Sequence, residues 1–171
     1  MEDARLEQAR WQLVAAADEL KSFAANVGAA VPRKALGNLY FAAFHLVQAL
    51  LASRGIAAHT HHGVQVAFSL HFVKPGTVSR ASAKLLSELQ AVRERADYQV
   101  DLAFDADDVR RQLESAAPLV EELAKVAGAT PGLDLGEVNA QWSAARASLQ
   151  PPAGGTRRRR SGARSTRPRR S

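Results

Sequence analysis

Apolar residues in this chain recur at steps of three and four, and no segment alternates over the length of a strand. The pattern is clearest in residues 32–55, where Leu36, Tyr40, Ala43, Phe44, Val47 and Leu51 form one stripe. Pro32 suits a first helical turn, where its missing N–H costs nothing, and Arg54-Gly55 reads as a basic end followed by a C′ glycine. A stripe this apolar must be covered by other helices, so the segment is predicted to be the centre of an all-α core.

The flanking segments supply that cover. Leu6, Ala9, Leu13, Ala16, Ala17 and Leu20 mark a first helix, predicted to fade near residues 26–28 with a left-handed cap. A short third helix carries Val64, Ala67, Phe68, His71 and Phe72 and stops at Lys74-Pro75-Gly76. A fourth starts near Ser79 or Ala81 and carries Leu85, Leu89, Val92 and Ala96. Asp105 is an N-cap for a fifth with Val109, Leu113, Ala116, Val120 and Leu123, in which Pro118 predicts a kink or a break. The expected fold is an antiparallel bundle of about five helices over residues 1–128, with a further helix in 129–150. Residues 151–171 have almost nothing apolar to bury and are expected to be a disordered basic tail.

Charge divides the same way. Residues 1–150 carry 15 Lys and Arg against 17 Asp and Glu, whereas residues 151–171 carry 8 Arg and no acid. The formal +6 therefore belongs to the tail. Arg157, Arg158, Arg159, Arg160 and Arg164 read either as a salt-sensitive, sequence-independent contact to nucleic-acid phosphates or as a solubilising or drifted terminus. The tail has no aromatic side chain for base stacking. With no cysteine, thiolate metal sites and Cys nucleophiles are excluded. There is no Gly-rich phosphate loop, G-x-S-x-G or H-E-x-x-H. The charged start has no secretory apolar core, and no run approaches the roughly 18 uninterrupted apolar residues of a membrane span, so a cytoplasmic protein without membrane contact is expected.

Two groups of polar residues merit chemistry. His59, His61, His62 and His71 cluster in sequence, but no acid occurs between Glu19 and Glu88 and the spacing fits no metal motif, so neither metal nor cofactor is expected. The bland reading there is a polar loop with one histidine capping the next helix. His45 stands in the apolar second helix, two turns from Asn38 and on the same face. It reads either as a core histidine bonded to a neighbouring helix or as a general acid/base lining a groove. Near the end of the fourth helix, Arg93 and Asp97 form an i,i+4 pair and Arg95 and Tyr98 an i,i+3 pair. They read as a solvated helix end or as arginines aimed at phosphate.

Three stretches taken together resemble the small stand-alone HEPN domain proteins of bacteria and archaea. They are NLYFAAFH at residues 38–45, THHG at 60–63 running on to Phe68 and HFVKPG at 71–76, and RERADY at 93–98. The resemblance covers roughly residues 5–127. It implies an antiparallel helical bundle that dimerises, and a minimal nucleotidyltransferase as antitoxin partner. Active members resemble one another in an Arg, four to six residues, then His motif that cleaves RNA without metal, with the ribose 2′-OH as nucleophile. On that reading Arg93 and Arg95 hold phosphate, His45 is the base, and Asp97 and Tyr98 orient them. The sequence departs from the pattern where Tyr98 stands in a place for the motif histidine, and where Asn38 replaces an arginine common in this branch. An unperturbed tyrosine, with a pKa of about 10, exchanges protons poorly near neutrality. The alternatives are a non-catalytic module that binds nucleotide or a nucleotidyltransferase, and a purely structural bundle.

Overall fold

The structure, a computed structural model, describes residues 2–150. The chain forms α1 (Glu2–Gly28), α2 (Pro32–Ser53), α3 (His61–Phe68), a π-helical turn (Ser69–Val73), α4 (Arg80–Tyr98), α5 (Ala106–Gly128) and α6 (Gly136–Ser148). No strand occurs among the described residues.

α2 is the central element. It packs against α1, α3, α4 and α5, and all six residues of its predicted stripe are buried. Side-chain bonds fix the directions of its neighbours. Asn26 meets Asn38, and Gln12 meets His45, so α1 runs antiparallel to α2. Arg33 at the start of α2 reaches the carbonyl of Ala96 at the end of α4, so that pair is antiparallel too. Ser79 and Ser82 at the start of α4 meet Glu122 late in α5. α6 packs mainly on α1 and buries Val138, Trp142 and Ala145 into the same core. α2 is long and apolar enough to cross a membrane, but 67 % of its apolar window is buried among these helices.

The helix ends follow from local chemistry. After α2, Gly55 adopts φ +70° and the amides of Gly55 and Ile56 return to the carbonyls of Ala52 and Leu51, which is the expected C′ glycine. α1 ends differently from expectation. The left-handed residue is Ala30, at φ +56°, not a residue of 26–28. The amides of Ala30 and Val31 bond the carbonyls of Val27 and Asn26, the same two-bond cap built on an alanine. Thr60, rather than a histidine, caps α3 by accepting the Gly63 amide. Asp105 and Asp108 form a reciprocal capping box at α5.

Three further differences have physical reasons. The π turn widens the helix after Phe68, which keeps Phe72 over Phe68 with rings stacked 6.0 Å apart. Arg54 then lies over the Phe72 ring at 3.9 Å and donates to the His71 carbonyl. On α4 the buried line is Ser82, Leu86, Leu89 and Ala96, and Leu85 is only partly buried. α5 continues unbroken through Pro118, because Ala116, Leu119 and Val120 on either side are held in the core. A proline there removes one intrahelical donor, and packing outweighs that loss.

Candidate nucleic-acid interface

Gly37, Asn38, Phe41, His45, Gln48 and Ala52 recur along one side of α2 and are only partly buried. This seam lies between α1 on one flank and α3 with α4 on the other. It gathers the polar residues of the NLYFAAFH segment and faces the RERADY segment.

On the α1 flank, His45 Nδ1 lies 2.7 Å from Gln12 Oε1. The acceptor oxygen requires the proton on Nδ1, which leaves Nε2 as the free base. Burial holds the His45 pKa below its ordinary value, with Glu19 and a bond to Gln48 pulling it back up. Burial therefore favours the neutral imidazole, the form that accepts a proton. Asn38 accepts from Asn26 at 2.8 Å and donates to Glu19 at 2.6 Å, so both ends of its amide join α1 to α2.

On the α4 flank, Arg93 places its guanidinium carbon 5.2 Å from the Phe41 ring centroid. Its side chain is 18 % exposed, and its Nε lies 2.8 Å from Asp97 Oδ2. The Nε–H is not aimed at that oxygen, and Nε is buried without a hydrogen-bond partner. No side-chain hydrogen bond from Arg93 occurs among the described residues, so the terminal nitrogens retain their donors for an anion. Phe41 is one turn before His45 on the same face of α2, so Arg93 and His45 reach the same face of that helix from α4 and from α2 itself. Arg95 and Tyr98 are exposed, Tyr98 at 75 %, on the outer side of α4. Thus Arg93, Asp97 and His45 come to the seam, and Arg95 and Tyr98 lie outside it.

Two features were missed in the sequence. His61, in the first turn of α3, lies 2.8 Å from the Tyr40 hydroxyl through Nδ1, and its ring centroid is 4.8 Å from that of Phe44. Burial pushes the Tyr40 hydroxyl up to about 12, with the Arg93 charge opposing and the Glu94 charge adding. Arg33 is the other. Its guanidinium donates to the carbonyls of Ala96, Gln99, Val100 and Leu102 and lies 5.3 Å from the Phe104 ring, fastening the end of α4 to the start of α2. Neither contact leaves a local signature, because the partners are 21 and 63 or more positions apart. Arg157, Arg158, Arg159, Arg160 and Arg164 lie outside the described residues. Among the described residues no three His, Asp or Glu side chains gather as a metal site.

A family model described as the HEPN domain matches residues 4–126. The chain is 29 % identical over 92 residues to a Thermotoga maritima protein named "UPF0332 protein", covering 54 % of this chain and 70 % of the relative. It is 32 % identical over 83 residues to a Pyrococcus horikoshii "UPF0332 protein", covering 48 % and 55 % of the two chains. A Methanocaldococcus jannaschii protein named "Putative toxin" is 32 % identical over 69 residues, covering 40 % of this chain and 52 % of that one. The match therefore spans about half the length of the latter two relatives.

Proposed function

Since the chain belongs to the HEPN domain family, we propose that it is a toxin-like RNA-binding protein that cleaves RNA without a metal, as one half of a toxin–antitoxin pair. The observation that carries this reading is one face of α2 on which Arg93 rests over Phe41 and His45, its pKa lowered by burial, stands one turn on. Arg93 binds a backbone phosphate through its unoccupied nitrogens, and His45 takes the proton of the neighbouring 2′-OH. Asp97 holds the Arg93 side chain to the helix. Arg95 and the arginines of residues 157–164 add sequence-independent phosphate contacts. The protein acts as a homodimer, and a minimal nucleotidyltransferase is its antitoxin.

The test is cleavage of single-stranded RNA in the presence of a chelator by wild type, His45→Ala and Arg93→Lys. Loss of about 100-fold or more is expected for His45→Ala, the scale of general base catalysis. Arg93→Lys keeps the charge and loses the planar fork, and should weaken cleavage substantially. Tyr98→His puts an imidazole at the motif position but outside the seam, and should leave cleavage by His45 nearly unchanged. Intact RNA with both wild type and Tyr98→His, together with unaltered toxicity of His45→Ala, would refute catalysis. The second reading, a binding-only module for a nucleotidyltransferase, rests on one observation: Tyr98, in place of the motif histidine, is on the outside of α4.

A further inference from the structure

The geometry points to His61 as a second catalytic imidazole of the seam, the general acid for the leaving 5′-oxygen, held in place by Tyr40. This rests on the ribonuclease reading above and adds to it a residue from another helix. Cleavage by 2′-OH attack needs one group to remove a proton and another to supply one. His45 fits the first task. The second has had no candidate, because Tyr98 is outside the seam.

His61 meets the requirements of position and orientation. Phe44 contacts both imidazoles, with its centroid 5.9 Å from that of His45 and 4.8 Å from that of His61. Phe41 in turn has Arg93 at 5.2 Å and His61 at 6.3 Å from its ring centroid. Arg93 and the two histidines are therefore linked through contacts with the same two rings, Phe41 and Phe44, on one turn of α2. The Tyr40 hydroxyl is 2.8 Å from His61 Nδ1. A hydroxyl both donates and accepts, so it can accept from the imidazolium and still fix the ring after the proton has left. Nε2 is the nitrogen that exchanges. Thr60 caps α3 one residue earlier and Phe44 contacts the ring, so His61 is positioned on a helix start and not on a free loop.

The step balances. His45 Nε2 takes the 2′-OH proton, the 2′-oxygen bonds to phosphorus, and the bond from phosphorus to the 5′-oxygen breaks. His61 Nε2 gives its proton to that oxygen. The products are a 2′,3′-cyclic phosphate and a 5′-hydroxyl, and Arg93 faces the charge on the phosphoryl oxygens throughout. The charged groups around the pair are Glu19 from α1, acting on His45, and Arg93 and Glu94 from α4, acting on the Tyr40 hydroxyl that holds His61.

The experiment compares two substrates. One is an RNA dinucleotide, whose 5′-oxygen must be protonated to leave. The other is a uridine 3′-(4-nitrophenyl phosphate), whose phenolate leaves unprotonated. His61→Ala should slow the dinucleotide by about 100-fold or more, the scale of a lost general acid, and the aryl ester by less than about 10-fold. The pH–rate profile of the dinucleotide should lose the limb that falls at high pH. Tyr40→Phe keeps the ring in the core and should move that same limb. His61→Asn with a wild-type melting temperature controls for folding. Equal slowing of both substrates would overturn the assignment, as would an unchanged dinucleotide rate. If wild type cleaves neither substrate, the ribonuclease reading falls and this one with it. Normal wild-type cleavage with an indifferent His61→Ala removes only His61.

Discussion

The cap of α1 offers a substitution whose sign is set by backbone geometry alone. Ala30 is in the left-handed region at φ +56°, closing the same pair of hydrogen bonds that Gly55 closes after α2. An L-residue with a Cβ pays about 1–2 kcal/mol to adopt that conformation. Ala30→Gly relieves this cost, while the freer unfolded chain takes back about 0.4–1 kcal/mol. Ala30 is exposed, so no packing is lost. The net expectation is stabilisation of about 0.5–1 kcal/mol, or about 1–4 °C in melting temperature for a domain near 150 residues. The mirror change is Gly55→Ala. There the φ is +70°, and a Cβ would meet Arg5 Cδ at 2.7 Å, so both strain and crowding oppose it. It should destabilise by at least about 1 kcal/mol, the lower end of the left-handed cost. Chemical denaturation followed by circular dichroism measures both variants. If Ala30→Gly lowers the midpoint, or Gly55→Ala leaves it unchanged, the shared cap geometry is wrong.

Three further changes test other layers. Phe44→Ala should cost about 3–5 kcal/mol in the same assay, since the ring is 9 % exposed and touches Tyr40, His45 and His61; a loss of a few tenths would put Phe44 outside the core. Removing residues 151–171 should leave the melting temperature in place and flatten the salt dependence of RNA binding, by a slope of about 0.7 for each single-strand phosphate that the tail arginines neutralise; a fall of many degrees would make that segment part of the fold. Burial raises the Glu122 pKa, but bonds from the Ser82 hydroxyl and from the Ser79 hydroxyl and amide outweigh it, leaving the net value below the ordinary 4.5. A carboxylate with a lowered folded value stabilises the protein above its unfolded pKa, and that share is lost as pH falls through the folded value. Glu122→Gln should therefore cost stability at pH 7 and show a shallower loss than wild type in acid; parallel curves would refute the role.

The helical core was legible because its periodicity is carried by one kind of atom. In α2 every third or fourth residue is apolar, and all of the stripe is buried. In α4 the expected Leu89 and Ala96 are buried, while Leu85 and Val92 are only partly so, for a related reason. Its buried face includes Ser82, which bonds Glu122, and partly buried Arg93, which rests on Phe41, so the apolar count favoured Leu85 over Leu86. The left-handed Ala30 carries no composition signal, since a glycine two residues earlier was the better candidate. The seam was half legible. His45 and Arg93 stand out within their own helices, and the RERADY pattern drew attention to α4. His61 did not stand out, because its meaning comes from Tyr40, and the hydroxyl of a tyrosine in an apolar run says only that some partner exists.

Arg33 has a consequence for the order of assembly. The carbonyls of Ala96, Gln99, Val100 and Leu102 obtain this donor from a residue 63 to 69 positions earlier. No local contact can replace it while the chain is still collapsing, and contacts of such long sequence separation form late on a folding path. The last turn of α4, which carries Arg95, Asp97 and Tyr98, is thus expected to be tied down only after the start of α2 has docked. Arg33→Ala should then speed unfolding and leave the folding rate nearly unchanged, the signature of an interaction absent from the transition state. On that expectation the arginine motif is fastened in place at docking of the start of α2, and its positioning is as stable as that one arginine makes it.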